Sequence, residues 1–383
     1  MSLKLGKVIN QLELQQLKIL AAIFILLHMA LFALWGIGTG LEAEKYTSAA
    51  EQLITGDGLP EKKYLFYLPI ILLIAISKLL HLPLVTVVLV QMALSAWAQF
   101  SFNRMIFRTA GSRVAFLGSL LLLFAIPFQQ WNLFLYSDSL FLSLSLLFVT
   151  MLYRARLKLS FKTELFTLLF LILLICTRPN GILLIFPYLG SQITRISKWK
   201  WRLVFAMVCF AGLAMAIAVV NYIYRNGNDM DVLRPYIEEH IICFVPTNVD
   251  TAQIAVARTG SPVGDLVQYA IDYPANFFKM IGLRLLSFFD LSRSYYSTMN
   301  NLYLVVLMSL IYTFALPGFL KYRQIFGVAS CYIGILLISY PLLIGLQCDD
   351  WHSRFTMTIF PYIAMLAAGG ITIAVERLQK AKT

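Results

Sequence analysis

The chain reads as an all-α, polytopic integral membrane protein of about ten transmembrane helices, a class that three observations predict. Of its 383 residues 60% are hydrophobic and 13% are charged, whereas a soluble domain carries about a quarter charged residues. Apolar runs of about 20 residues recur from Leu17 to the C-terminus, and in hydrocarbon each must satisfy its backbone polar groups internally, which makes them helices. Lys and Arg collect in short clusters between those runs, so the net charge of +12 encodes membrane topology and not nucleic-acid binding.

The first apolar run, Leu17 to Ile37, exceeds a signal-peptide core and reads as a retained signal anchor. The clusters Lys4/Lys7/Lys18, Arg104/Arg108/Arg113, Arg154/Arg156/Lys158/Lys162, Arg195/Lys198/Lys200/Arg202, Lys321/Arg323 and Arg377/Lys380/Lys382 mark cytoplasmic positions. Spans then lie near 18–38, 84–103, 114–130, 138–153, 163–177, 181–194, 203–223, 301–320, 325–346 and 355–375, with both ends inside. Tyr64 to Leu80 is left over; its Pro69, flanking Lys62/Lys63 and Lys78, and His81-Leu82-Pro83 break suit a helix that dips in without crossing. The alternative is that it crosses and a short neighbour does not.

Residues 1–383 form a single transmembrane domain on this reading, with outer loops at 39–83 and 224–300 and no separate soluble domain. In the first loop Thr39-Gly40-Leu41-Glu42 has the spacing of a capping box, and Tyr46, Ala49, Ala50 and Leu53 follow at helical spacing up to Gly56-Asp57-Gly58. Glu42 then either caps this helix or does chemistry, while Glu44 has no capping task. In the second loop Pro274 to Phe289 reads as an interfacial helix, with Phe277, Phe278, Ile281, Leu285, Leu286 and Phe288 on one broad face.

Of five cysteines, Cys176, Cys209 and Cys331 fall within apolar helices, and only Cys243 and Cys348 are placed to meet outside the membrane. Gln347-Cys348-Asp349-Asp350-Trp351-His352-Ser353-Arg354 reads as a solvated polar loop; Asp349, Asp350 and His352, with His240 and Glu238/Glu239 elsewhere, are weak candidates for a divalent metal. Arg178 stands at an outer helix end without basic neighbours, so topology does not explain its charge; it snorkels, pairs with Asp138, or binds an anion. Asp138 orients Arg178, binds acceptor hydroxyls, ligates a metal, or simply begins a helix, where a carboxylate complements the dipole.

The stretch Gly40-Leu41-Glu42-Ala43-Glu44-Lys45-Tyr46 through Gly56 resembles the opening of the first outer loop of the GT-C membrane glycosyltransferases, the superfamily of the dolichyl-phosphate-mannose mannosyltransferase and lipid A aminoarabinose transferase group. Lys62-Lys63-Tyr64 with Tyr67 and Pro69, Ser137-Asp138-Ser139-Leu140-Phe141, Thr177-Arg178-Pro179-Asn180-Gly181 and His352-Ser353-Arg354-Phe355 are similar to later motifs of that family, in the family's order. The family usually has Asp where this chain has Glu-Ala-Glu, and Pro361 comes later than the final motif asks.

The resemblance implies transfer of a sugar from a polyprenyl-phosphate donor to a hydroxyl of a lipid-linked glycan or glycolipid, with inversion, on the outer face of the membrane. It makes Glu42 or Glu44 the base, and Lys62, Lys63, Arg178 and Arg354 the cations for the donor phosphate. Tyr46, Asp138 and His352 become supporting or acceptor-binding groups. No cofactor is required beyond a possible divalent metal. The rival expectation is a transporter or flippase for a lipid-linked or anionic substrate, with the same ionisable residues lining a pathway. A membrane acyltransferase would need an intramembrane His, for which His28 is placed but reads as a packed residue. The absence of any N-x-S/T sequon leans toward a bacterial plasma membrane.

Overall fold

The computed structural model describes residues 2–158, 160–224, 233–247 and 261–381. The chain order is α1 (Ser2–Trp35), α2 (Glu42–Thr55), α3 (Leu68–Leu79), α4 (Val85–Ala110), α5 (Ser112–Leu123), α6 (Ile126–Gln129), α7 (Ser137–Leu157), α8 (Phe161–Thr177) and α9 (Ile185–Ile193). There follow α10 (Trp199–Tyr224), α11 (Arg234–Ile237), α12 (Pro262–Asp272), α13 (Pro274–Phe289), α14 (Thr298–Gly318), α15 (Tyr322–Phe326), α16 (Ser330–Leu346) and α17 (Phe360–Lys380). Among the described residues no strand forms; Gly38 pairs with Phe134, and Ile242 with Asp349, as isolated bridges.

Several helices have the length and apolarity to cross a membrane: Gln11–Trp35, Val85–Ala110, Ser137–Leu157, the stretch Thr298–Leu346, and Phe360–Lys380. Ser112–Leu123 and Ile126–Leu133 meet at a 72° bend and pass the same test as a pair. The 12 residues of α3 extend about 18 Å at 1.5 Å per residue, short of a hydrocarbon core of about 30 Å.

Contacts divide the chain into two compact units: 1–185 with 307–333 and 357–383, and 186–306 with 334–356. In the first, α7 is the central helix, buried on nearly every side between α4 and α8. Helix α5 packs on α17 and α4, and α2 on α3. A Cβ on Gly318 or Gly370 would strike a backbone carbonyl, so these glycines let α14 and α17 approach closely.

In the second unit the core forms where α11, α12 and α13 meet, around Leu233, Tyr236, Tyr269 and Met280. The apolar face expected on α13 is corrected: Met280, Arg284 and Phe288 point inward at i, i+4 and i+8, while Phe278 and Leu286 are exposed. The buried stripe carries a charge at its centre, which a purely apolar reading of the face passes over. Residues 225–232 and 248–260 of the second outer loop lie outside the described residues.

Candidate functional site

The capping box at Thr39 does not form. Leu41 takes φ 57° and ψ −110°, so the helix begins at Glu42 with no side-chain cap. Two contacts impose this entry. Gly38 N–H donates to the Leu133 carbonyl at 3.0 Å and its own carbonyl accepts from Leu135 N–H at 3.0 Å. The Tyr136 hydroxyl donates to the Gly40 carbonyl at 3.1 Å. Released from capping, Glu42 is half-buried, and its Oε2 accepts from the Tyr46 hydroxyl one helical turn on, at 3.3 Å. The end of α2 follows the expectation: Gly56 takes the left-handed conformation and its N–H bonds to the Gln52 carbonyl.

Tyr46 is buried with Ala43, Ala49 and Ala50 on one face of α2, its ring 5.2 Å from that of Tyr67. Burial pushes its phenol well above the usual tyrosine range, with the Glu42 and Tyr67 charges adding to the effect and the Ser137 hydroxyl and Arg178 opposing it. Tyr46 therefore stays a hydrogen-bond donor to Glu42 throughout the physiological range. Its neighbours join three of the sequence segments singled out above: Glu42 at the start of α2, Ser137 at the start of α7, and Arg178 after α8.

Asp138 sits in the first turn of α7, 1% exposed, and forms an ion pair with the Nη1 end of Arg178, 8% exposed. Pro179 holds Arg178 in an extended conformation, φ −160° and ψ 142°, which ends α8 there. The chain then turns back so tightly that a Cβ on Gly181 would meet the Leu174 carbonyl oxygen at 2.5 Å. Pairing, and not snorkelling, is thus how Arg178 is held. A guanidinium carries five N–H donors, so one group can hold both a carboxylate and a phosphate.

Glu44 is exposed on α2. Lys62 and Lys63 are exposed on a short 3-10 turn, Lys62–Tyr67, that packs on α8, and Lys63 pairs with Glu61 at 2.9 Å. His28 is fully buried, stacked on Phe24 and hydrogen-bonded, as a packed residue would be.

Arg354, His352, Asp349 and Asp350 belong to the second unit. The two aspartates are not solvated, whereas His352 is exposed. Asp349 is 0% exposed and Asp350 8%, each held by an arginine: Arg293 Nη2 to Asp349 Oδ2 at 2.7 Å, and Arg354 Nη2 to Asp350 Oδ2 at 2.7 Å. Burial raises the Asp349 carboxyl above its usual range, against the pull of Arg293. His352 Nδ1 lies 3.0 Å from the Tyr296 hydroxyl with the rings stacked. Cys243 and Cys348 are disulfide-bonded, and beside them Cys243 N–H donates to the Asp349 carbonyl, and Asp349 N–H to the Ile241 carbonyl, at 2.8 Å each.

Two arginines of this unit were not singled out from the sequence. Arg284 is 0% exposed and has no carboxylate partner among the described residues; its guanidinium donates to the carbonyls of His240 (2.9 Å), Pro235 (2.7 Å) and Gly345 (3.5 Å) and lies 4.2 Å over the Tyr236 ring. Burial lowers its pKa from the usual arginine value, against the Tyr236 and Tyr269 charges. Its signal was a charge inside an apolar stripe. Arg293 left no such mark, since Ser292-Arg293-Ser294 has the look of any polar loop.

Among the described residues no group of three or more His, Cys, Asp or Glu converges to hold a metal. Both weak aspartate candidates are engaged by arginine, and His240 Nε2 lies 2.8 Å from Glu238 Oε2. No family model, curated protein or solved structure matches the chain.

Proposed function

We propose that this protein is a GT-C-type membrane glycosyltransferase that moves a sugar from a polyprenyl-phosphate donor to a hydroxyl of a lipid-linked glycan or glycolipid, inverting the anomeric centre. The observation that carries the reading is the convergence of Glu42, Tyr46, Ser137, Asp138 and Arg178, drawn from three separated segments, in one unit. Inverting transfer needs a carboxylate to take the acceptor proton and a cation to stabilise the departing phosphate. Glu42 is the base of choice over Glu44, because it is half-buried and oriented by the Tyr46 hydroxyl. Arg178, oriented by Asp138, is the phosphate cation, with Lys62 and Lys63 as exposed point charges for the donor to meet first. Arg354 and His352, which the resemblance would assign to the substrate, belong to the second unit, where Arg354 pairs with Asp350.

The protein on this reading crosses the membrane about ten times. The apolar helices supply most crossings, with Thr298–Leu346 counted as two and with α8, the 179–193 segment and α10 supplying the others. On the topology read from the basic clusters the first outer loop, with Glu42, faces outward from a bacterial plasma membrane. A buried Asp–Arg pair is also what a transporter or flippase would place in its pathway, and that is the second reading.

The test is transfer from a panel of polyprenyl-phosphate sugars to a glycolipid extract by the purified protein, wild type against Glu42→Gln and Glu44→Gln. Glu42→Gln should lose roughly 100-fold or more in turnover, the scale of a general base, with Glu44→Gln within a few-fold of wild type. Full turnover by Glu42→Gln removes the assignment. A wild type inert on every donor turns the choice toward transport.

A further inference from the structure

The short segment 130–136 between α6 and α7 touches both halves of the cluster. Leu133 and Leu135 hold Gly38 and Tyr136 holds Gly40, which fixes the entry to α2 and Glu42. The same segment runs directly into Ser137-Asp138-Ser139. What anchors the segment itself is a buried polar chain. Asn132, 2% exposed, has its Oδ1 accepting from the Ser139 hydroxyl at 2.7 Å and its Nδ2 2.9 Å from His28 Nε2. His28 Nδ1 lies 2.9 Å from the Phe24 carbonyl, one turn back on α1. Gln129 braces the chain from the side, donating to the Leu122 carbonyl at 2.9 Å and pairing with Gln99 at 3.1 Å.

These bonds agree on one arrangement of protons. The Phe24 carbonyl only accepts, so His28 carries its proton on Nδ1. Asn132 Oδ1 accepts from Ser139, which leaves its amide N–H to donate to an unprotonated Nε2. Each imidazole nitrogen is used, and the Gln129 backbone carbonyl also interacts with the ring. An apolar residue would stack on Phe24 as well at far less desolvation cost, so stacking does not account for an imidazole within a membrane-spanning helix. An acceptor aimed at Asn132 does.

We propose that His28 is a positioning residue: through Asn132 it fixes the segment that sets both Glu42 and the Asp138–Arg178 pair. The inference deepens the glycosyltransferase reading and rests on it for its kinetic consequence, whereas its structural consequence is independent of any activity. Gln at position 28 keeps an acceptor in reach of Asn132; Phe keeps the stacking and loses the acceptor.

The experiment compares wild type, His28→Gln, His28→Phe and Ser139→Ala, each full-length in lipid nanodiscs. Amide hydrogen exchange is followed over residues 37–43 and 133–139, alongside kcat and KM for the best donor. Leaving the Asn132 amide with only its longer bond to Gln129 Oε1, at 3.4 Å, should speed exchange roughly 10-fold in both segments of His28→Phe. Its kcat should fall by a similar factor with KM within about threefold, and His28→Gln should restore both. Ser139→Ala, which removes only the last bond, should speed exchange in both segments, by less than His28→Phe does. Unchanged exchange in His28→Phe overturns the proposal, as does a folded His28→Gln as impaired as His28→Phe. If His28→Phe does not fold, exchange in Ser139→Ala decides: protection unchanged in 133–139 overturns the relay. An inert wild type removes the glycosyltransferase reading and leaves the exchange comparison intact.

Discussion

At the scale of single residues the site is defined by side chains whose surroundings oppose their chemistry. Leu41 holds a positive φ that favours glycine, and it is exposed, so no packing repays the strain. Leu41→Gly should therefore stabilise the protein by about 1 kcal/mol, although glycine also loosens the unfolded chain. A lower melting temperature for the variant would show that the Leu41 conformation is not the native one. His352 gives the pH dependence. Partial burial pulls its pKa below 6.5, aided by the Arg354 and Arg293 charges and opposed by Asp350. Just below the ordinary imidazole value the unfolded chain then binds more protons than the folded one, so stability falls as the pH drops through that window. The melting temperature should fall between about pH 7 and pH 5 less steeply in His352→Asn than in wild type, by a small margin because the ring is exposed. Equal slopes would mean that His352 titrates as it does in a free peptide.

At the scale of elements the second unit depends on a covalent tie between chain segments 105 residues apart. The Cys243–Cys348 link lies beside the bridge that seats Asp349 against Arg293, next to the loop carrying His352 and Arg354. Closing a loop of about 100 residues is worth up to about 4.7 kcal/mol on the chain-entropy model. Among the described residues Cys176, Cys209 and Cys331 form no disulfide. Mass spectrometry after alkylation of the denatured protein should count three modified thiols without reductant and five with it, and reduction should lower the melting temperature. Five thiols before reduction would remove the link. That Cys243 and Cys348 could meet was legible because the other three lie in apolar runs. The start of α2 was misjudged from the same kind of local evidence. Thr39-x-x-Glu42 has capping spacing, yet pairing of Gly38 with residues 133 and 135, nearly 100 positions away, sets the entry instead. Likewise Asp349 looks solvated until Arg293, more than 50 positions earlier, is brought to it.

At the scale of the whole molecule, helical class and apolar segments were legible because hydrophobic length is a local property of the sequence. Which segments cross is not local, and the decision turns on α3. If α3 crossed, every basic cluster between it and the next revised crossing would pass to the outer side, against the charge bias. Its 12 residues and its packing on α2 both favour a helix that stays on one side. The prediction is that Asp57, before α3, and Arg108, in the last turn of α4, lie on opposite faces, with one crossing between them. Each is exposed and suits a single reporter cysteine, in a chain whose Cys176, Cys209 and Cys331 are replaced by Ser and whose disulfide is kept. In intact cells a membrane-impermeant maleimide should label Asp57→Cys and, in the second outer loop, Ser294→Cys, while Arg108→Cys and Lys158→Cys label only after permeabilisation. Labelling of Asp57→Cys and Arg108→Cys from the same side would make α3 a crossing helix. Glu42 and the positions after α4 would then share a face, and either the basic clusters or the outward-facing base would have to be given up.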